Sequence, residues 1–196
     1  MKNRLLMIAG IIGLIAFVVL VGILTNVEKT VRENIMVEIK VKDHGVITAE
    51  LYPSKAPITV DNFVGLVEEG FYDGLTFHRI LDGFVLQGGM GNALLNSIMG
   101  EFPSNGVDND LKHTRGALSM ARIDGYNDSA TSQFFIVHEE ASSLDGDYAV
   151  FGYVTSGMEI VDELCSNTPV IDDNGNVEEA NQPIIESIKI LSNSNQ

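Results

Sequence analysis

The sequence predicts a mainly β domain, a closed antiparallel barrel capped by two helices, behind one N-terminal transmembrane helix. Three observations predict it. Residues 36–42 alternate strictly between apolar and polar side chains; short apolar runs recur between Gly, Pro, Asn and Asp turn signals, with two helical stripes among them; and residues 5–24 carry no charge.

The run over residues 5–24 follows Lys2 and Arg4. As a helix it spans about 30 Å, the thickness of a bilayer core. It is longer than the apolar part of a cleaved secretory signal, which is roughly 7 to 15 residues, and it ends Gly-Ile-Leu-Thr-Asn, without an Ala-x-Ala cut site. The single cysteine, Cys165, lies far downstream, which excludes a lipoprotein signal and an intramolecular disulfide. An uncleaved anchor over 5–24 is the expectation, with a cleaved signal as the alternative. In a bacterial cell, Lys2 and Arg4 keep the tail 1–4 cytoplasmic and place the rest on the extracytoplasmic face of the cell membrane. Lys29 and Arg32, accompanied by Glu28 and Glu33, pull weakly the other way.

Residues 25–34 are polar, lack Pro and Gly, and read as a short stalk; a single folded domain is expected over 35–192. Ten of the twelve basic residues and all 27 acidic ones lie after the anchor, a formal charge of 10 minus 27, or −17. Such a surface excludes nucleic acid and anionic lipid as partners, leaving the bilayer contact to 5–24.

Within the domain, Val37, Ile39 and Val41 share one strand face, with Glu38, Lys40 and Lys42 on the other. Asp43-His44-Gly45 turns the chain into a second strand over 46–52. A helix follows, with Ser54 as candidate N-cap, Pro57 in the first turn, a stripe of Val60, Phe63, Val64 and Val67, and Gly70 as the stop. Short strands are expected at 77–80 and 85–87, joined by the Asp82-Gly83 turn. Residues 89–112, with Gly91, Gly100, Pro103 and Gly106, read as a long loop of the kind that carries function. Strands at 117–121, 133–137 and 149–154, a helix at 158–164 and a closing strand at 184–191 complete the count of eight strands.

Residues 76–89 read Thr-Phe-His-Arg-Ile-Leu-Asp-Gly-Phe-Val-Leu-Gln-Gly-Gly, and residues 132–137 read Ser-Gln-Phe-Phe-Ile-Val. One arginine (Arg79), two amides (Gln87, Gln133) and apolar rings (Phe84, Phe135) border one apolar, proline-sized groove if these segments meet. Taken singly, each such ring is more often plain core and each such arginine more often solvated. The four histidines, His44, His78, His113 and His138, are too dispersed for a metal site and are read as structural. Gly88-Gly89-Met90-Gly91 lacks the Gly-Lys-Ser/Thr ending of a phosphate loop, so neither metal nor nucleotide cofactor is expected.

In order, these segments resemble the cyclophilins. The resemblance runs over about residues 35–191 and includes Glu50-Leu-Tyr-Pro-Ser-Lys-Ala-Pro-Ile-Thr-Val-Asp-Asn-Phe63, Gly70-Phe-Tyr-Asp-Gly74, Lys112-His-Thr-Arg-Gly-Ala-Leu-Ser-Met-Ala121 and Leu144-Asp-Gly-Asp-Tyr-Ala-Val-Phe-Gly152. It implies an eight-stranded cyclophilin-like barrel and a peptidyl-prolyl cis-trans isomerase acting on proline-containing polypeptides during protein folding. It assigns Arg79 as the catalytic donor and Gln87 as the residue that orients it and binds the substrate backbone. Phe84, Val85, Phe135, Leu144 and Tyr148 become the proline pocket, with Ala121 and Gln133 along the adjoining groove. Three positions depart from the well-studied eukaryotic pattern: Arg122 stands where an asparagine contacting substrate is usual, Ser143 where a tryptophan is usual, and Tyr148 where a histidine is usual. Loss of the tryptophan implies weak cyclosporin binding with catalysis retained. The competing readings are a binding module that holds proline segments without turnover, and a chaperone for unfolded chains.

Overall fold

The structure is a computed structural model and describes residues 32–191. The tail 1–4, the anchor over 5–24 and most of the stalk over 25–34 lie outside the described residues. Among the described residues no helix is long and apolar enough to cross a membrane.

Eight strands form one curled antiparallel sheet: β1 (Ile35–Val41), β2 (Gly45–Leu51), β3 (Phe77–Leu81), β4 (Val85–Gly88), β5 (Ala117–Met120), β6 (Phe134–Val137), β7 (Val150–Ser156) and β8 (Ile185–Leu191). Their order across the sheet is β3-β4-β6-β5-β7-β2-β1-β8. The alternation in β1 does what its period requires: Val37, Ile39 and Val41 are buried, and Val37 faces Ala49 while Ile39 faces Ile47 on β2. Two helices complete the fold, α1 (Pro57–Glu68) and α2 (Met158–Asn167).

The expected closed barrel is corrected by the sheet ends. β3 and β8 share no ladder; a single bridge joins their flanks at Thr76 and Ile184. The free edge of β3 is occupied by an irregular segment instead. The Ile80 N–H donates to the Gly175 carbonyl at 2.8 Å and the Val177 N–H to the His78 carbonyl at 3.0 Å. Because that loop satisfies the β3 edge, β8, paired with β1 on its other side, meets the β3 flank only through backbone bonds of residues 74–77 with 183–185.

Both ends of α1 are informative. Ser54 does not cap it: the N-cap residue is Ala56, without a side-chain bond. The carboxylate of Glu101, buried in the long loop, accepts the N–H groups of Ile58 (3.0 Å) and Thr59 (2.7 Å) instead. A buried negative charge on two orphan donors at the positive end of the helix dipole does the work of a local cap. At the other end the Gly70 N–H reaches the Val67 carbonyl and the Phe71 N–H the Leu66 carbonyl, with Gly70 at φ +68°. This paired motif needs a residue without a Cβ penalty in the left-handed region, so the stop at Gly70 is as expected.

Inside the curl, Phe63 from α1 meets Tyr72, Phe134 and Phe151 with ring centroids 5.1, 5.5 and 5.2 Å apart. The outer face of β4, β5, β6 and β7 carries a second apolar cluster of Val85, Ala117, Phe135, Val137, Ala141 and Val150. Strand period two decides the division. Leu86, Phe134 and Ile136 point to the main core, whereas Val85, Phe135 and Val137 point to the outer cluster.

Candidate active site

Strand register builds a row across the sheet. Arg79 on β3 lies opposite Gln87 on β4, Gln87 opposite Phe135 on β6, and Phe135 opposite Ser119 on β5. The turn that sets the first pairing has Gly83 at φ +73° and the Phe84 N–H bonded to the Leu81 carbonyl at 3.0 Å.

Side-chain bonds run along this row. Arg79 donates from Nε to the Asn174 carbonyl at 2.9 Å and from Nη1 to Gln87 Oε1 at 3.1 Å. Gln87 in turn donates from Nε2 to Gln133 Oε1 at 3.0 Å. The guanidinium is thereby held on two sides by neutral acceptors, and its remaining N–H groups meet no acceptor among the described residues.

A cavity of about 240 Å³ opens beside it, lined by Arg79, Phe84, Val85, Gln87, Ala121, Arg122, Phe135, Leu144 and Tyr148. The tenth sequence-derived residue, Gln133, lines an adjoining cavity of about 230 Å³ together with Gln87, Ala121, Arg122, Ile123, Ser129 and Thr131. All ten residues therefore meet at one place, contributed by β3, β4, β6 and the segments after β5 and before β7. The Tyr148 ring stands edge-on to Phe135 with centroids 6.0 Å apart. Ser143 sits exposed in the short turn Ser142–Leu144.

Behind this wall stands a three-residue unit that the sequence reading did not assemble, although it read His113 as structural. His113 is buried, and its ring stacks on Phe135 at 6.0 Å with an interplanar angle of 17°. Its Nδ1 lies 3.0 Å from Asp145 Oδ1 and its Nε2 3.0 Å from Ser119 Oγ. Since a carboxylate only accepts, Nδ1–H donates to Asp145 and Nε2 accepts the Ser119 hydroxyl. The order Asp–His–Ser is that of a nucleophilic triad, but Ser119 is fully buried and lines neither cavity of the site. The group instead fixes the back of Phe135. No spacing signal could have found it, because its members come together only when β5 and the 142–145 turn pack.

Burial pushes the His113 ring below its ordinary pKa of 6.5, against the opposing pull of Asp145, and burial likewise lowers His78. Both rings bind a proton less readily in the fold than in the unfolded chain, so unfolding takes up protons as the pH falls toward and below 6.5. The unfolded state then binds more protons, so stability is held above that pH and declines beneath it, by at most about 1.4 kcal/mol per pH unit for each ring. Urea unfolding between pH 7.5 and 5 is expected to show this decline, with a shallower slope in His113→Asn. Rising stability on acidification over that window contradicts it.

Among the described residues no cluster of His, Cys, Asp or Glu is placed to hold a metal.

Residues 36–194 match the family model for cyclophilin type peptidyl-prolyl cis-trans isomerases. Peptidyl-prolyl cis-trans isomerase B of Bacillus subtilis is 47% identical over 124 residues, which covers 63% of this chain and 85% of the relative. A crystal structure of a cyclophilin type peptidyl-prolyl cis-trans isomerase from Cryptosporidium parvum superposes with a TM-score of 0.71 at 29% identity, covering 82% of this chain and 99% of that one. The same Cryptosporidium protein in the presence of the dipeptide Ala-Pro superposes with a TM-score of 0.69 at 30% identity, covering 81% of this chain and 99% of that one. With the family model matching most of the described domain, the chain belongs to the cyclophilin family of peptidyl-prolyl cis-trans isomerases, and that isomerisation is its enzymatic activity.

Proposed function

We propose that the 240 Å³ cavity receives the proline ring and that Arg79 is the catalytic donor. Rotation about an X-Pro bond is opposed by amide conjugation worth roughly 18 to 20 kcal/mol. As the bond twists, conjugation is lost and the proline nitrogen becomes pyramidal, with a lone pair that accepts a hydrogen bond only in that state. A guanidinium already oriented toward it stabilises the transition state more than either ground state. The observation that supports this most is the fixing of Arg79 by Asn174 and Gln87 at the cavity rim. Gln87 orients the guanidinium and binds the substrate backbone; Phe84, Val85, Phe135, Leu144 and Tyr148 hold the ring; Ala121, Arg122 and Gln133 line the path of the flanking chain. Nothing in this chemistry calls for a cofactor, since no group is transferred.

The clients we infer are exported proteins whose folding waits on prolyl bonds. Residues 5–24 anchor the chain in the cell membrane, residues 25–34 form the stalk, and the domain over 35–192 works on the extracytoplasmic face. Protease added to intact protoplasts then removes the domain, whereas protection until lysis contradicts the orientation. Cyclosporin binds weakly, since Ser143 offers no indole N–H. Inhibition of the purified protein is expected only well above nanomolar concentration, and nanomolar inhibition would sink that part of the reading.

A further inference from the structure

Four arginines lie among the described residues, and they divide into two pairs by their partners. Arg32 meets Asp61, and Arg115 meets Asp162 at 2.7 Å. Arg79 and Arg122 form no salt bridge among the described residues, and both line the 240 Å³ cavity. In a chain with 27 acidic and 12 basic residues, carboxylates are plentiful, so two unneutralised guanidiniums on one cavity form a local positive site on an acidic surface.

Arg122 is tethered without being neutralised. Its Nε donates to the Asp147 carbonyl at 2.9 Å and its Nη1 to the Ile123 carbonyl at 3.3 Å. Its Cζ stands 4.6 Å from the Tyr148 ring centroid and 5.5 Å from that of Phe102. Carbonyls and ring faces orient the planar fork but carry no formal charge, and among the described residues two of its five N–H groups find an acceptor. The same side chain is part of the wall between the 240 Å³ and 230 Å³ cavities. A chain whose proline fills the first cavity and whose neighbouring residues continue into the second passes Arg122.

We propose that Arg122 makes this isomerase selective for substrates with an aspartate or glutamate within two residues of the proline, its free N–H groups receiving that carboxylate. A planar fork with a permanent charge binds a carboxylate more strongly than an amide oxygen and repels an ammonium group. The inference rests on the proline occupying the 240 Å³ cavity.

The test scans glutamate through the two positions before and the two after proline in short peptides, each paired with its glutamine counterpart. Catalysed exchange is measured by NMR with the full chain as wild type, Arg122→Gln and Arg122→Lys. The glutamate-to-glutamine ratio of kcat/KM cancels any loss of folded enzyme or of basal turnover in a variant. At one position at least, wild type is expected to favour glutamate by up to about fivefold at low salt, the size of an exposed ion pair. That preference disappears in Arg122→Gln, is intermediate in Arg122→Lys, and shrinks as salt is added. Turnover of all peptides with no glutamate preference in wild type, or with one that Arg122→Gln retains, overturns the inference while sparing the site. Failure of wild type to turn over any peptide overturns the reading of the cavity itself.

Discussion

Replacing Arg79 by alanine is expected to lower kcat/KM for a prolyl peptide by about 10² to 10³, the usual consequence of removing one preorganised donor to a developing lone pair. The loss should fall mainly on kcat. The bond at issue forms in the twisted state, when the nitrogen lone pair is no longer shared with the carbonyl, so ground-state binding depends little on it. Arg79→Lys tests geometry separately from charge. A lysine has no planar fork to keep both the Asn174 carbonyl and Gln87 Oε1 while presenting a further donor, so it is expected to recover only a small part of the loss. A protease-coupled or NMR assay on the folded variants checks this, and near-wild-type kcat in Arg79→Ala contradicts it.

Gly175→Ala is expected to cost activity from a residue that touches no substrate. Gly175 has φ +79°, and a Cβ there would stand 2.4 Å from the Ile80 carbonyl oxygen and 2.7 Å from Leu81 Cγ. Neither contact is tolerable, and the first involves backbone on β3, so the loop must move off the strand edge. The neighbouring Asn174 carbonyl is the acceptor for Arg79 Nε, and it moves with the loop. Asp172 braces the same turn by accepting the N–H groups of Asn174 and Asn176, both at 3.0 Å. Freed on that side, the guanidinium loses its aim, and a displacement on the order of 1 Å is enough to cost about tenfold to a hundredfold in kcat/KM. Val177, two residues on, is buried with Ile80 in the main apolar cluster, so some stability is lost as well and kcat is read on the folded fraction of the variant. A folded Gly175→Ala with wild-type kcat would show that Asn174 does not position the arginine.

These two substitutions mark where sequence reading succeeded and where it stopped. Arg79 and Gln87 were legible as a pair because they flank one short hairpin, whose Asp82-Gly83 turn sets their register. The eight strands and two helices were legible within a few residues for the same local reasons: period-two alternation, apolar stripes and glycines at positive φ. What was hidden came from distance along the chain. Asn174 is 95 residues from Arg79, and Glu101 caps a helix that begins 44 residues before it, so Ser54 looked the better cap. The expected closed barrel failed for a similar reason, because nothing local says that 175–177 will cover the edge of β3. His113, Ser119 and Asp145 were unreadable as a unit, since their packing behind Phe135 depends on the finished sheet. The departures at Arg122, Ser143 and Tyr148 were legible only against the family pattern.

The central claim is that one fixed guanidinium beside the proline cavity converts binding into rotation. It is tested most directly by NMR of a short X-Pro peptide, with cis–trans exchange and peptide binding followed on the same samples of wild type and Arg79→Ala. The account predicts strong acceleration by wild type and, in the variant, binding retained with exchange largely lost. Equal acceleration by both proteins would contradict the role given to Arg79, and binding without acceleration by well-folded wild type would leave a proline-holding module in its place.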